Sequence, residues 1–274
     1  MNWPAEDLWQ ALVPHCAGIT VEVLPEIDST NSELMRRARA GQTDPVLLLA
    51  EIQTAGRGRL GRAWHGKAGD ALTFSLGLML KPADWSGLSL SVGLALARGL
   101  DPQGVLGLRL KWPNDIWVTR PDTPSGWGKL AGILIETTLT TPAEPQAARF
   151  CVVGMGVNLA PPVAADLSTA PVGLCELDPH ASAGQALLRC APAVLQTLLA
   201  FERAGFAPLQ NAFHARDALN NAQVRLSDGR SGLACGVDAQ GGLRVQTASG
   251  LEVVTSAEVS VRPHTLSERG VHAV

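Results

Sequence analysis

The stretch from residue 46 to residue 80 limits the fold more than any other part of the chain. Residues 46–52 form a run of strand length, apolar but for Glu51, and residues 72–80 read as another strand. Between them lies Gly56-Arg57-Gly58-Arg59-Leu60-Gly61-Arg62. The glycines let backbone N–H groups come close to a ligand, and the arginines offer forked donors for phosphate or carboxylate oxygens. Read alone, the loop is either an anion site or a solvated basic turn. Gly56-x-Gly58-x-x-Gly61 spells the dinucleotide fingerprint, which requires a helix next. Here Trp64-His65-Gly66-Lys67 leads straight into a strand. Gly61 followed by Gly66-Lys67-Ala68 nearly spells a P-loop, but Ala68 lacks the hydroxyl that would hold Mg²⁺, and again no helix follows. Both of these nucleotide folds are therefore excluded.

The rest of the chain reads as alternating strands and helices. Pro4, then Glu6-Asp7 with Leu8 and Leu12, opens a short helix. Residues 18–24 alternate like a strand. Thr30-x-x-Glu33 has capping-box form, and Leu34, Met35 and Ala38 carry a helix to Gly41, a C-cap. Residues 86–100 read as a buried helix. Residues 108–111 and 116–118 are strands interrupted by Pro113-Asn114-Asp115, and a Pro/Gly/Ser connection over 120–128 predicts a hairpin that returns Lys129 towards Lys111. Residues 150–158 form a further strand. Residues 185–211 are helical, with Pro192 marking a kink or a junction. From Ala222 the texture changes. Short alternating runs at 224–226, 243–246 and 252–254 are separated by Asp228-Gly229, Gly241-Gly242 and Ser249-Gly250, as in a small antiparallel barrel or sheet. The division this predicts is residues 1–220, residues 221–263 and a loose tail over 264–274.

Composition narrows the function classes. A net charge of −3 argues against nucleic acid as the main partner. The most apolar window, 88–100, is broken by Gly93, Arg98 and Gly99 and is too short to cross a bilayer, so no membrane is expected. The N-terminus carries Glu6 and Asp7 and no basic-then-apolar run, which is unlike a signal peptide. Cys16, Cys151, Cys175, Cys190 and Cys235 are widely spaced with no CxxC, which predicts reduced, buried thiols in a reducing compartment, the cytoplasm. The histidines show no paired ligand spacing, so no residue is assigned to a metal.

Further segments each carry two readings. In Lys111-Trp112-Pro113-Asn114-Asp115, the lysine could neutralise a phosphate while the amide and carboxylate orient ligand groups or a hydrated Mg²⁺; equally, this is a β-turn beside a core tryptophan. Lys129, at the start of an apolar strand, is most simply solvated, and Ser29-Thr30-Asn31 is most simply a helix N-cap. The glycines of Gly154-Met155-Gly156-Val157-Asn158 mark either close approach by a ligand or a bulge.

Taken in order, these segments resemble the biotin–protein ligase family. The stretches that carry the resemblance are Asp28-Ser29-Thr30-Asn31, the run from Gln53 through Arg62 with Trp64, Lys111-Trp112-Pro113-Asn114-Asp115, Lys129-Leu130-Ala131-Gly132-Ile133-Leu134 and Gly156-Val157-Asn158. Gly236-Val237-Asp238, Gly241, Leu243 and Glu258-Val259-Ser260 look like that family's C-terminal SH3-like domain. Coverage runs from residue 21 to residue 262. The resemblance implies an α+β fold: a class II aminoacyl-tRNA-synthetase-like mixed sheet with flanking helices, followed by a small SH3-like β-barrel domain. It implies that Ser29, Thr30, Asn31 and Gln53 bind the ureido ring of biotin, with Gly132 lining the pocket. Arg57, Gly58 and Arg59 would close over the valeryl carboxylate and the α-phosphate, and Lys129 would hold the reacting oxygens, so that Arg59 and Lys129 are the catalytic pair. Gly56, Arg57, Arg59, Trp64, Lys111, Asn114, Asp115 and Asn158 would serve the nucleotide.

The implied reaction suits these residue types. A carboxylate must approach a phosphate that repels it, so cations matter more than a general base. ATP and biotin are the substrates, with Mg²⁺ carried on ATP, and the protein partner is a biotin carboxyl carrier protein of a biotin-dependent carboxylase. A homodimer stays open. Rival readings are a lipoate or octanoate–protein ligase and a biotin-responsive DNA-binding repressor; too few residues precede the first strand for the winged helix that some members carry. Ala257 stands where that family often has glycine, and the Pro/Ala-rich stretch 140–149 matches nothing in the resemblance.

Overall fold

The computed structural model describes residues 3–139, 147–163, 169–255 and 261–263. After helix α1 (Ala5–Leu12), strand β1 (Thr20–Ile27), helix α2 (Thr30–Arg39) and strand β2 (Val46–Gln53) form a parallel βαβ unit. There follow β3 (Ala71–Leu80), α3 (Leu88–Leu100), β4 (Arg109–Lys111), β5 (Asp115–Thr119), β6 (Trp127–Leu139) and β7 (Arg149–Asn158). Short β8 (Ala170–Pro171) and α4 (Leu174–Leu177) lead into α5 (Ala183–Ala204) and α6 (Gln210–His214). The sheet order is β1-β2-β3-β7-β6-β5-β4, with β8 alongside β6. Beyond the β1–β2 pair the main path is antiparallel.

Both faces of this sheet are covered, which explains why β3 and β7 read as continuous apolar runs rather than alternations. α2 covers one face, where Leu34, Met35 and Ala38 pack on Val46, Leu48, Phe150 and Val152. α1, α3 and α5 cover the other, over a larger core that includes Phe74, Leu94 and Leu195. Contact there is close: a β-carbon on Gly99 would come within 2.8 Å of Cys190 Sγ.

Local chemistry sets the ends of α2. Ser29 is the N-cap and its hydroxyl accepts from the Ser32 N–H at 3.4 Å. The box expected from Thr30 and Glu33 is not what forms, because Glu33 turns to Arg36 and Arg37 instead. At the other end Gly41 takes φ +88°, and the bonds Gly41 N→Ala38 O and Gln42 N→Arg37 O close a Schellman motif. Of the two readings of Pro192, the junction between helices is corrected. α5 runs through it as one helix, held by burial of Ala191, Val194 and Leu195, and the break falls at Gly205, φ +63°.

A second, antiparallel sheet has the order β12-β11-β10-β9-β13. It is built from β9 (Gln223–Leu226), β10 (Ser231–Val237), β11 (Leu243–Thr247), β12 (Gly250–Val254) and β13 (Val261–Pro263). Gly229, Gly241 and Gly250, all at positive φ, stand at the expected turns. β10 escapes a reading by alternation because Gly232, Cys235 and Gly236 interrupt it, and the strand shifts register between Ala234 and Val237. This sheet is fastened to the first one. The fully buried Trp112 donates from Nε1 to Gly241 O at 3.0 Å, and His214 Nε2 accepts from Val237 N at 3.0 Å. Trp112→Phe keeps an aromatic ring but strands the Gly241 carbonyl and leaves a small cavity, so unfolding by urea should report a loss of at least about 1–2 kcal/mol. An unchanged midpoint would remove this bond from the account.

All five cysteines are free, but only Cys151 and Cys190 are buried, and burial pushes both thiols up to about 12. Cys175 is exposed, contrary to the expectation of buried thiols. Among the described residues no helix is long and apolar enough to cross a membrane. The expected tail over 264–274, the Glu258-Val259-Ser260 piece with Ala257, and residues 140–146 lie outside the described residues.

Candidate active site

The sheet delivers its functional side chains to one end. The parallel β1 and β2 finish there at Ile27 and Gln53, and β3 starts there at Ala71, opposite Asn158 at the end of β7. β6 brings Gly132 opposite both Gly156 and Asp115. The cleft at this end encloses about 1440 Å³ of space, its open mouth included.

The floor is a hydrogen-bonded polar set. Gln53 Oε1 accepts from Thr30 N at 2.7 Å, and Thr30 Oγ1 lies 2.7 Å from Ser75 Oγ. Ser75 Oγ is also bonded to Asn31 Oδ1 at 2.7 Å. Thr30, Asn31 and Ser75 are all buried, so each orientation is dictated by a partner rather than by water. Apolar Ile133, Leu134 and Met155 border this set. Trp64 lies across the strands: a β-carbon on Gly156 would come within 2.3 Å of its indole, and one on Gly132 within 3.2 Å. Of the two glycines expected to mark close approach, Gly156 is approached by this ring and Gly154 by Asn31 Oδ1.

The other half of the cleft is cationic. Lys129 Nζ pairs with Asp115 Oδ1 at 2.8 Å and sits 5.8 Å from the Trp64 ring. The turn carrying Asn114 is pinned to β6, with Nδ2 donating to Ile133 O at 2.8 Å, and Arg59 Nη1 reaches Asn114 Oδ1 at 3.5 Å. Asn158 donates to Lys129 O at 3.1 Å. Lys111 is 7% exposed, and its ammonium lies 5.6 Å from the Trp117 ring. Burial pulls its pKa down to about 8; Asp115 opposes the shift, whereas Lys129, Arg59 and Arg62 add to it. Burial likewise lowers the pKa of Arg59. Arg59, Arg62, Lys111 and Lys129 gathered around Asp115 make a surplus of positive charge suited to a polyanion.

Burying the Lys111 ammonium has a stability cost. The folded state holds Lys111 below its unfolded value, so the penalty on folding is fully present below about pH 8 and disappears as pH rises towards 10.5. Lys111→Met should therefore raise stability at pH 7 by roughly 1–3 kcal/mol. The gain over the parent should shrink between pH 8 and 10.5 in thermal melts. A pH-independent difference would sink this assignment.

Every residue expected at the site lines the cleft except Gly56. Gly56 lies beneath the loop, where its carbonyl accepts from Trp64 N and a β-carbon would meet Trp64 O at 2.6 Å. Arg57 lines the cleft, but its guanidinium turns away from the cationic half to Glu136, at 3.0 Å, and to Ser32 Oγ, at 3.3 Å. Reading the sequence missed Ser75 and Glu136. A serine inside the apolar run of β3 was the available signal for the first, and an acid after Ile133-Leu134-Ile135 for the second. No group of three or more His, Cys, Asp or Glu that could hold a metal occurs among the described residues.

Residues 23–158 match the model described as the Biotin/lipoate A/B protein ligase family, and residues 223–262 that of the Biotin protein ligase C terminal domain. The chain is 33% identical over 257 residues to the bifunctional ligase/repressor BirA of Escherichia coli, a match covering 89% of this chain and 75% of the relative. It is 34% identical over 251 residues to the biotin–[acetyl-CoA-carboxylase] ligase of Paracoccus denitrificans, covering 86% and 98%. The biotin protein ligase from Aquifex aeolicus in complex with biotin and ATP superposes with a TM-score of 0.72 at 25% identity, covering 89% of this chain and 99% of that one.

Proposed function

Because the chain belongs to the biotin/lipoate A/B protein ligase family, we infer from that premise that it is a biotin–protein ligase. It activates biotin with ATP and transfers the biotinyl group to a lysine of a carrier protein. In the first step a carboxylate oxygen of biotin attacks the α-phosphorus of ATP, and pyrophosphate leaves. In the second, the neutral lysine amine attacks the acyl carbon of biotinyl-AMP, and AMP leaves. The observation that carries this reading is the union, in one cleft, of a buried hydrogen-bonding floor with a cluster of cations.

The roles are those that the family resemblance implies, and the places of the residues in the cleft support them. Ser29, Thr30, Asn31 and Gln53 take the ureido ring, supported by Ser75. Lys129 and Arg59 neutralise the reacting carboxylate and α-phosphate, Lys111 and Asn114 face the rest of the nucleotide, and Trp64 and Asn158 serve the adenine side. Mg²⁺ arrives with ATP as part of the substrate. The mixed anhydride hydrolyses readily, so a loop able to close over it and exclude water is required, and the glycine–arginine segment supplies one.

The carrier is read as the biotin carboxyl carrier protein of an acetyl-CoA carboxylase, by likeness to the relative's name, and the setting as the cytoplasm. Residues 1–220 are taken as the catalytic unit and 221–263 as the SH3-like unit. A homodimer is compatible with this reading and is decided by light scattering. Lipoate transfer is not favoured, since the solved neighbour was captured with biotin. The repressor half of the bifunctional relative's name is not part of this reading.

The direct test is transfer of labelled biotin to a carrier domain in the presence of ATP. Label on the carrier lysine that requires ATP supports the assignment. Transfer of lipoate in preference to biotin would overturn it.

A further inference from the structure

The hydrogen bonds of the floor continue beyond the pocket. Asn31, whose Oδ1 is bonded to Ser75, donates from Nδ2 to Leu134 O and to Glu136 Oε2, both at 3.1 Å. The same carboxylate receives Arg57 from the other side, Nη2 to Oε1 at 3.0 Å and Nη1 to Oε2 at 3.3 Å. Glu136 therefore touches the floor and the glycine–arginine loop at once. Asn31 has no room to retreat: a β-carbon on Gly154, beneath it, would come within 2.0 Å of its Oδ1.

An ion pair between half-exposed partners usually adds little; Arg57 and Glu136 are 47% and 22% exposed. This pair differs in what its acid also holds. Asn31 is buried, with its nitrogen turned to Glu136 and its oxygen to Ser75, so the carboxylate settles which edge of the amide meets a ligand. We propose that Glu136 is a positioning residue that couples the floor recognising the biotin ring to closure of the glycine–arginine loop. The two-point grip on Arg57 anchors the start of the loop and leaves residues 58–62 to move over the reacting groups. A ring that hydrogen-bonds to Asn31 draws on the same carboxylate that holds the loop, so ring recognition and closure are felt together. The proposal rests on reading the cleft as a biotin site.

The test compares Glu136→Gln, which keeps the shape and an acceptor for Asn31 but loses the charge on Arg57, with Glu136→Asp, Arg57→Gln and the Glu136→Gln/Arg57→Gln pair, all in the full chain. Loss of one charge-assisted contact predicts about a tenfold rise in the KM for biotin in Glu136→Gln, with the KM for ATP and the melting temperature little changed. Tryptic cleavage after Arg59 and Arg62 in the ligand-free protein should also quicken about tenfold. Arg57→Gln should quicken this cleavage to the same extent, and the double variant should quicken it no further. Glu136→Asp keeps the charge on a shorter arm and should fall in between, which preserves the test if Glu136→Gln folds poorly. A parental cleavage rate and biotin KM in Glu136→Gln, or effects that multiply in the double variant, would overturn the coupling. If the parent chain itself transfers no biotin, the functional reading fails while the cleavage comparison still decides the coupling.

Discussion

Lys129→Ala is expected to stop adenylate formation while leaving the fold intact. The side chain is 30% exposed and lines the cleft rather than the core, so its loss should cost the fold little. Its Nζ stands between Asp115, at 2.8 Å, and the indole of Trp64. Removing one contact of this kind typically costs about 3 kcal/mol of transition-state stabilisation, roughly a hundredfold in rate. Here the loss should be larger, because Asp115 loses its direct ion-pair partner where two anions must meet. Asp115→Asn in the Lys129→Ala background should therefore recover part of the rate. Biotin-dependent ATP–pyrophosphate exchange measures both effects, and thermal melting checks the fold. Exchange at the parental rate would remove Lys129 from the catalytic role.

Arg59→Ala should spare binding of biotin and ATP but hold biotinyl-AMP poorly. Arg59 is the middle arginine of a loop whose Leu60 sits at φ 57° and Gly61 at φ 71°. A loop with glycines at 56, 58 and 61 needs a ligand-directed charge to hold it shut. One charge-assisted hydrogen bond contributes roughly 1.5–3 kcal/mol, so release of the intermediate should quicken about ten- to a hundredfold. Freed adenylate would acylate exposed lysines without selection. Stopped-flow release rates and a streptavidin blot against added albumin measure the two consequences. Retention as long as in the parent, with no label on albumin, would reduce the loop to a passive turn.

The cleft was legible in the sequence to the extent that its residues sit at element ends, where composition breaks pattern. Glycines and arginines after an apolar strand, and a Pro-Asn-Asp turn between two short strands, stand out without any structure. Ser75 did not, because a lone serine in a two-faced buried strand looks like tolerated polarity until its partners Thr30 and Asn31 are seen across the fold. Glu136 was hidden for the same reason: its significance lies in a contact with Arg57 that spans 79 positions of chain. The main sheet was readable from run lengths, whereas β10 was not, since glycines and a register shift erase its alternation. Pro192 misled because a local penalty was overruled by packing on both sides of α5.

The bond from Trp112 to Gly241 also bears on how such a protein can change over time. The residue that fastens the second sheet lies immediately beside Lys111 and within the turn that carries Asn114. Drift in the small sheet that moved the Gly241 carbonyl would tug on the charged end of the cleft. Drift in the cleft motif would in turn loosen the small sheet. The two modules are therefore poor candidates for independent reshuffling between genes, and a lineage that keeps one has reason to keep the other in register with it.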